Sequence, residues 1–212
     1  NPNNPIRTYS HAMQIAGAGN KHIMFQRGDT FDVGGTTTIN AENVVIGAYG
    51  SGDRPKIRWS AGRGTGAILQ MPEDEGGDIL IEDLEFTSIH ASSQERNICT
   101  AFKPSGQNVT VRHCTFKHVT DAVNCERDPV GLLAYGNESP VHNGLRAYYS
   151  WVSGTDICHI GNHVNGSLHE HNIRVGGAER VNISNNDLTN DSKTCIWGCL
   201  LYTSPSPRDR YI

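Results

Sequence analysis

Three short sets of polar side chains recur between Asn124 and Arg174: Asn124 with Glu126, then Arg146, Tyr148 and Ser150, then Glu170, Asn172 and Arg174. Members of a set sit at alternate positions, the spacing that sends side chains to one side of a strand. Successive sets lie about 24 residues apart. Two guanidinium groups can bind a carboxylate through paired N–H donors. A phenol can exchange a proton, and a glutamate can act as a base. Together these meet the needs of β-elimination next to a carboxylate: charge neutralisation, a base for the acidified carbon, and an acid for the leaving oxygen. Arg174, Tyr148, Arg146 and Glu170 are therefore the expected catalytic groups. Asn124, Asn172 and Ser150 are expected to bind substrate, and Glu126 to serve as base or to hold a cation such as calcium. The alternative is a plain surface ladder, with Arg146 and Glu170 paired across adjacent strands.

Such sets need a scaffold that repeats. EHNIRVGGAERVNISNNDL (170–188) reads as a short strand, a corner at Gly176 and Gly177, and a second strand from Val181 to Ile183. Its apolar template of Val181, Ile183, Asn186 and Leu188 returns upstream as Ile157, His159, Asn162 and Val164. It returns again as Val109, Val111, Cys114 and Phe116, and as Ile79, Ile81, Leu84 and Phe86. Val109, Leu133, Ile157 and Val181 keep the step, and a period in this range marks a solenoid. A second column runs through Val123, Ala147, His171 and Cys195. Alternation from it places Leu145, Ala147, Tyr149 and Trp151 on the core side, with His171, Ile173 and Val175.

The expected fold is all-β, a single-stranded right-handed parallel β-helix. A short helix over residues 9–18, with Ser10 as N-cap and Gly17 and Gly19 as stops, would cover its open end. His169 and His171 have a spacing that zinc sites use, but alternation turns that face inward, which favours core histidines. Asn162 and Asn186 are expected to stack as an amide ladder at a bend.

With 212 residues and a 36% apolar fraction, the chain suits the narrow core of a solenoid better than a globular core. A net charge of −4 argues against a nucleic-acid partner. No apolar run is long enough to span a membrane as a helix. The cysteines form no close CxxC pair and no disulfide framework, so they read as small buried thiols. The chain begins at Asn1 and shows no leader, so an export signal would have been cleaved or lie outside it. CLLYTSPSPRDRYI (199–212) departs from the pattern in composition and looks like a translated sequencing adapter. Residues 1–198 are thus expected to form a β-helix that is incomplete at its C-terminus, and residues 199–212 a non-native tail.

FQRGDTF, NVVIGAYGSGDRPKI, DILIEDLEF and NVTVRHCTF resemble segments of bacterial right-handed parallel β-helix proteins of the pectate-lyase-like group. That resemblance implies a secreted or periplasmic, monomeric scaffold acting on polysaccharide. Locally, IRVGGAERVNISNND (173–187) is similar to a segment of alginate lyase and chondroitinase B type polysaccharide lyases. Arg174 and Gly176 match that segment's Arg and Gly, while Val175 stands in place of its His. The Lys and the Glu-x-Glu calcium pair of those enzymes have no counterpart on the preceding coil. The resemblance implies a polysaccharide lyase or glycoside hydrolase acting on a uronate-containing chain, with calcium as a candidate cofactor. A monomeric, non-catalytic polysaccharide-binding or surface module is the other expectation.

Overall fold

The computed structural model describes residues 6–73, 75–142, 144–190, 192–193 and 195–198, so the expectation about the 199–212 tail falls outside it. The chain winds into a parallel β-solenoid of about seven turns, with one short helix near its N-terminus. Each turn lays strands on up to three faces. The first face stacks Lys21–Gln26, Glu42–Tyr49, Gly77–Glu82, Gln107–Arg112 and Val130–Tyr135, followed by the later halves of Ser150–Ile160 and Ile173–Ser184. Its inward ladder is Val44, Ile79, Val109, Leu132, Ile157 and Val181, all in parallel register. Apolar side chains stacked this way exclude water from a continuous column.

The register of this face has a backbone cause. Asn43, Asp78, Asn108, Gly131, Asp156 and Arg180 all have left-handed φ, and each immediately precedes an inward ladder residue. Asn, Asp and Gly adopt that conformation at the lowest cost, so they mark where each coil turns. Arg180 is the exception, and it makes a two-point pair with Asp156 at 2.6 and 2.7 Å. This column corrects one position of the sequence reading. Leu132, next to Gly131, is the inward residue, whereas Leu133 lies beside Thr110 and Cys158 on the outside.

The helix spans Tyr9–Ala16 and is capped by Thr8, not Ser10, because the Thr8 hydroxyl accepts the His11 N–H. It buries Tyr9, Ala12, Met13 and Ala16, with the Tyr9 ring 6.0 Å from that of Phe25 in the first coil. The expected cover over the column end is therefore present.

The third face departs most from expectation. Its strands are Ala67–Gln70, Thr100–Lys103, Val123–Asn124, the first residues of Ser150–Ile160 and Ile173–Ser184, and Ile196–Gly198. The inward column is Leu69, Phe102, Val123, Ser150 and Ile173, and Ile196 follows in register at 49% exposure. Val123 aligns with Ser150, not Ala147, and Ile196, not Cys195, continues the column. Regular pairing starts only at Ser150, so alternation carried through the irregular stretch 145–149 loses one step. Ser150 consequently points inward and is fully buried, while Trp151 turns out. Asn172 is also fully buried, but at the bend before Ile173, where its Nδ2 donates to Thr189 O at 3.2 Å. The Gly176–Gly177 corner is not a break either. Ile173–Ser184 is one strand, and the irregularity is a register shift opposite Val152 and Gly154.

His159 is the histidine of the core. It is fully buried, its Nε2 lies 3.2 Å from Ser150 Oγ, and its Nδ1 has no partner among the described residues. Burial pushes its pKa down to about 4. The unfolded chain therefore takes up a proton as pH falls through about 6.5, and the folded chain does not until about 4. Stability contributed by the neutral imidazole is complete above that window. It should fall by about 3 kcal/mol across the window. Urea titrations at neutral and acid pH should show this slope, and His159→Gln should flatten it. An unchanged slope in the variant would assign it to other groups.

Candidate functional site

Outside the third face lies a groove of about 530 Å³ lined by Asp121, Asn124, Tyr148 and Trp151, with Arg96 and Glu126 among its other lining residues. Its floor comes from successive coils, which stack about 4.8 Å apart. Asn124, Trp151, Arg174 and Trp197 form one outward column in direct register. The 89–99 connection reaches over later coils: Ala91 O accepts from Arg146 Nη2 at 3.0 Å, and Gln94 O lies 2.7 Å from His169 Nε2.

Asp121 is the most buried carboxylic acid of the groove, at 5% exposure. Burial drives its pKa up, against hydrogen bonds from Asn124 and the Tyr148 backbone N–H and the charges of Lys103 and Arg96. Asn124 Nδ2 donates to Oδ2 at 2.8 Å, and the Tyr148 N–H donates to Oδ1 at 3.1 Å. A carboxyl whose acidity is weakened in a cleft is suited to proton donation.

Tyr148 Oη accepts from Arg174 Nη1 at 3.1 Å and from Arg96 Nη2 at 3.4 Å. The Arg174 guanidinium carbon sits 4.4 Å from the Trp151 ring centre and 4.7 Å from that of Trp197. No described carboxylate pairs with Arg174. Arg96 also meets Glu170 at 3.1 Å, and Glu170 meets Lys193 at 2.5 Å. Burial raises the Glu170 pKa, but the Lys193 hydrogen bond and the charges of Arg96, Lys193 and His171 outweigh it, leaving a net fall.

The eight residues expected from sequence therefore separate into groups. Asn124, Glu126 and Tyr148 line the groove, and Arg174 stands beside it, bonded to Tyr148. Ser150 belongs to the interior because the alternation of its strand is offset by one, and Asn172 is buried at the bend before Ile173. Arg146 is buried at 3% exposure, where desolvation lowers its pKa. Glu170 pairs with Arg96 and Lys193, and Leu145, the neighbour of Arg146, aligns with Ser167. Glu126 is paired with Lys103. His169 and His171 are partly exposed rather than core, the latter stacking on Trp197 at 5.9 Å. Among the described residues no group of three or more His, Cys, Asp or Glu could hold a metal ion. Sequence reasoning missed Asp121, Arg96 and the outward face of Trp151. Asp121 could have been found from its spacing to Asn124, an acid followed by an amide three residues on.

The fold defines the class: a parallel β-solenoid with an aromatic and ionic groove on one sheet face. No family model, no curated protein and no solved structure matches the chain. No described helix is long and apolar enough to cross a membrane.

Proposed function

We propose that the third-face groove binds a uronate-containing polysaccharide and cleaves it by β-elimination. The observation that carries this reading is Arg174, a fixed cation with no described carboxylate partner, 3.1 Å from a tyrosine oxygen beside the groove. A site that keeps a cation free of internal carboxylates suits an anionic ligand. In this reading Arg174 and Arg96 neutralise the uronate carboxylate. Tyr148, as the phenolate to which both guanidinium groups donate, takes the proton from the adjacent carbon, and protonated Asp121 gives one to the leaving glycosidic oxygen. Glu170 and Arg146 act at a distance, the first by holding Arg96 and the second by tethering the 89–99 connection through Ala91. A polymer of this kind fits a secreted or periplasmic monomer.

A glycoside hydrolase would use the same acid, with Glu126 or Asp128 of the groove as the second carboxylate. A non-catalytic binding module is the second reading, favoured because Tyr148 and Glu170 are already engaged by guanidinium groups. The test is incubation with polygalacturonate and polymannuronate, reading unsaturated ends by ultraviolet absorbance and reducing ends chemically. Elimination raises both signals, hydrolysis only the second, and a binding module neither. Asp121→Asn is expected to lower turnover about a hundredfold while retaining binding. Full turnover in that variant removes Asp121 from the mechanism.

A further inference from the structure

Both faces of the Arg174 guanidinium are covered, by Trp151 from the preceding coil and Trp197 from the following one. One edge is tied through Nη1 to Tyr148, and Nε is buried without a partner among the described residues. A planar cation stacked on two indoles loses rotational freedom and part of its hydration, which strengthens a single anion contact at its remaining edge. Trp197 is itself backed by the His171 ring, 15° from parallel. Trp151 lines the groove, whereas Trp197 is not among the lining residues. Arg174 is not among them either, and Trp197 is 41% exposed, so the test has to separate an effect through Arg174 from direct stacking on a sugar ring.

We infer that Trp197 is a positioning residue: with Trp151 it clamps Arg174 edge-on to the carboxylate of an acidic sugar, so that the seventh coil sets the preference for anionic over neutral polymer. This rests on the proposed uronate site and adds to it a residue outside the groove. One partly desolvated aromatic contact of this kind supports an effect of about tenfold on affinity.

Polygalacturonate and its fully methyl-esterified form are suitable probes, since they share a backbone and differ in charge. Calorimetric titration should show Trp197→Leu weakening polygalacturonate binding about tenfold while leaving the ester unchanged. Trp197→Phe, which restores a ring face, should recover most of the loss. In an Arg174→Ala background, Trp197→Leu should cost nothing further, the mark of a coupled pair. A loss equal for both polymers, or one that persists without Arg174, would overturn the inference by showing that Trp197 acts on the coil itself or stacks directly on a sugar ring. Should the Leu variant unfold, the Phe variant decides: a loss of charge preference despite a retained ring overturns the clamp. Wild-type protein that binds neither polymer would sink the uronate reading itself, whereas wild type that binds and Trp197 variants that match it would sink only the clamp.

Discussion

Arg174→Ala is expected to leave the solenoid folded and to cut polyuronate cleavage about a thousandfold. The side chain lies outside the sheet, so the inward neighbours Ile173 and Val175 keep their buried positions. What disappears is the cation between Trp151 and Trp197 and the donor to Tyr148 Oη. Elimination stalls without it, because the carbanion next to an unneutralised carboxylate is too high in energy. Arg174→Lys should recover little, since an ammonium cannot stack or present a planar edge. Thermal melts by circular dichroism report the fold, and progress curves on polygalacturonate report the chemistry. Cleavage at the parent rate would remove Arg174 from the site.

Asn162→Ala should be the most destabilising single change in the amide ladder, at about 3–5 kcal/mol. Asn162 Oδ1 accepts from the Asn137 N–H at 3.0 Å, from Asn137 Nδ2 at 3.1 Å and from Tyr149 Oη at 2.8 Å. Its Nδ2 donates to Ala134 O at 3.0 Å and Asn186 Oδ1 at 2.8 Å. All of this lies in a bend where Asn162 is 1% exposed and Asn137 and Tyr149 are fully buried. Alanine would strand several buried donors at once, and each stranded group costs about 1–3 kcal/mol. Asn165→Ala, at a partly exposed position with a 3.2 Å bond to Pro140 O, should cost under about 1 kcal/mol. Urea unfolding of the two variants separates these cases. Equal, small losses would mean that the ladder is redundant.

The ladder was legible in the sequence, and the reason it was legible marks a general boundary in this chain. Asn162 and Asn186 recur at the coil period because each coil must satisfy the same buried backbone groups, and Asn137 extends the series one coil further. The first face was legible for the same reason. Its strands alternate without interruption, and a left-handed Asn, Asp or Gly precedes most of its inward residues. Two adjacent leucines concealed the right one at Leu132, where only Gly131 pointed to the register.

The amino-acid sequence by itself determined the parallel solenoid, its capping helix, its first-face core and the neighbourhood of the groove. The composition of the groove was decided by tertiary structure. Loops of unequal length precede the third-face strands, so neither period nor alternation crosses them intact, and a single-residue slip exchanges inside for outside. That slip hid Ser150 in the core and brought Trp151 out to meet Arg174. Arg96 reaches Tyr148 and Glu170 from a connection more than fifty positions earlier. Asp121 has its weakened acidity because the stacked coils bury it, which outweighs the hydrogen bonds from Asn124 and the Tyr148 N–H. Local spacing reports what one strand repeats, whereas the desolvation and charge that define this groove come from side chains that meet only after the coils have stacked.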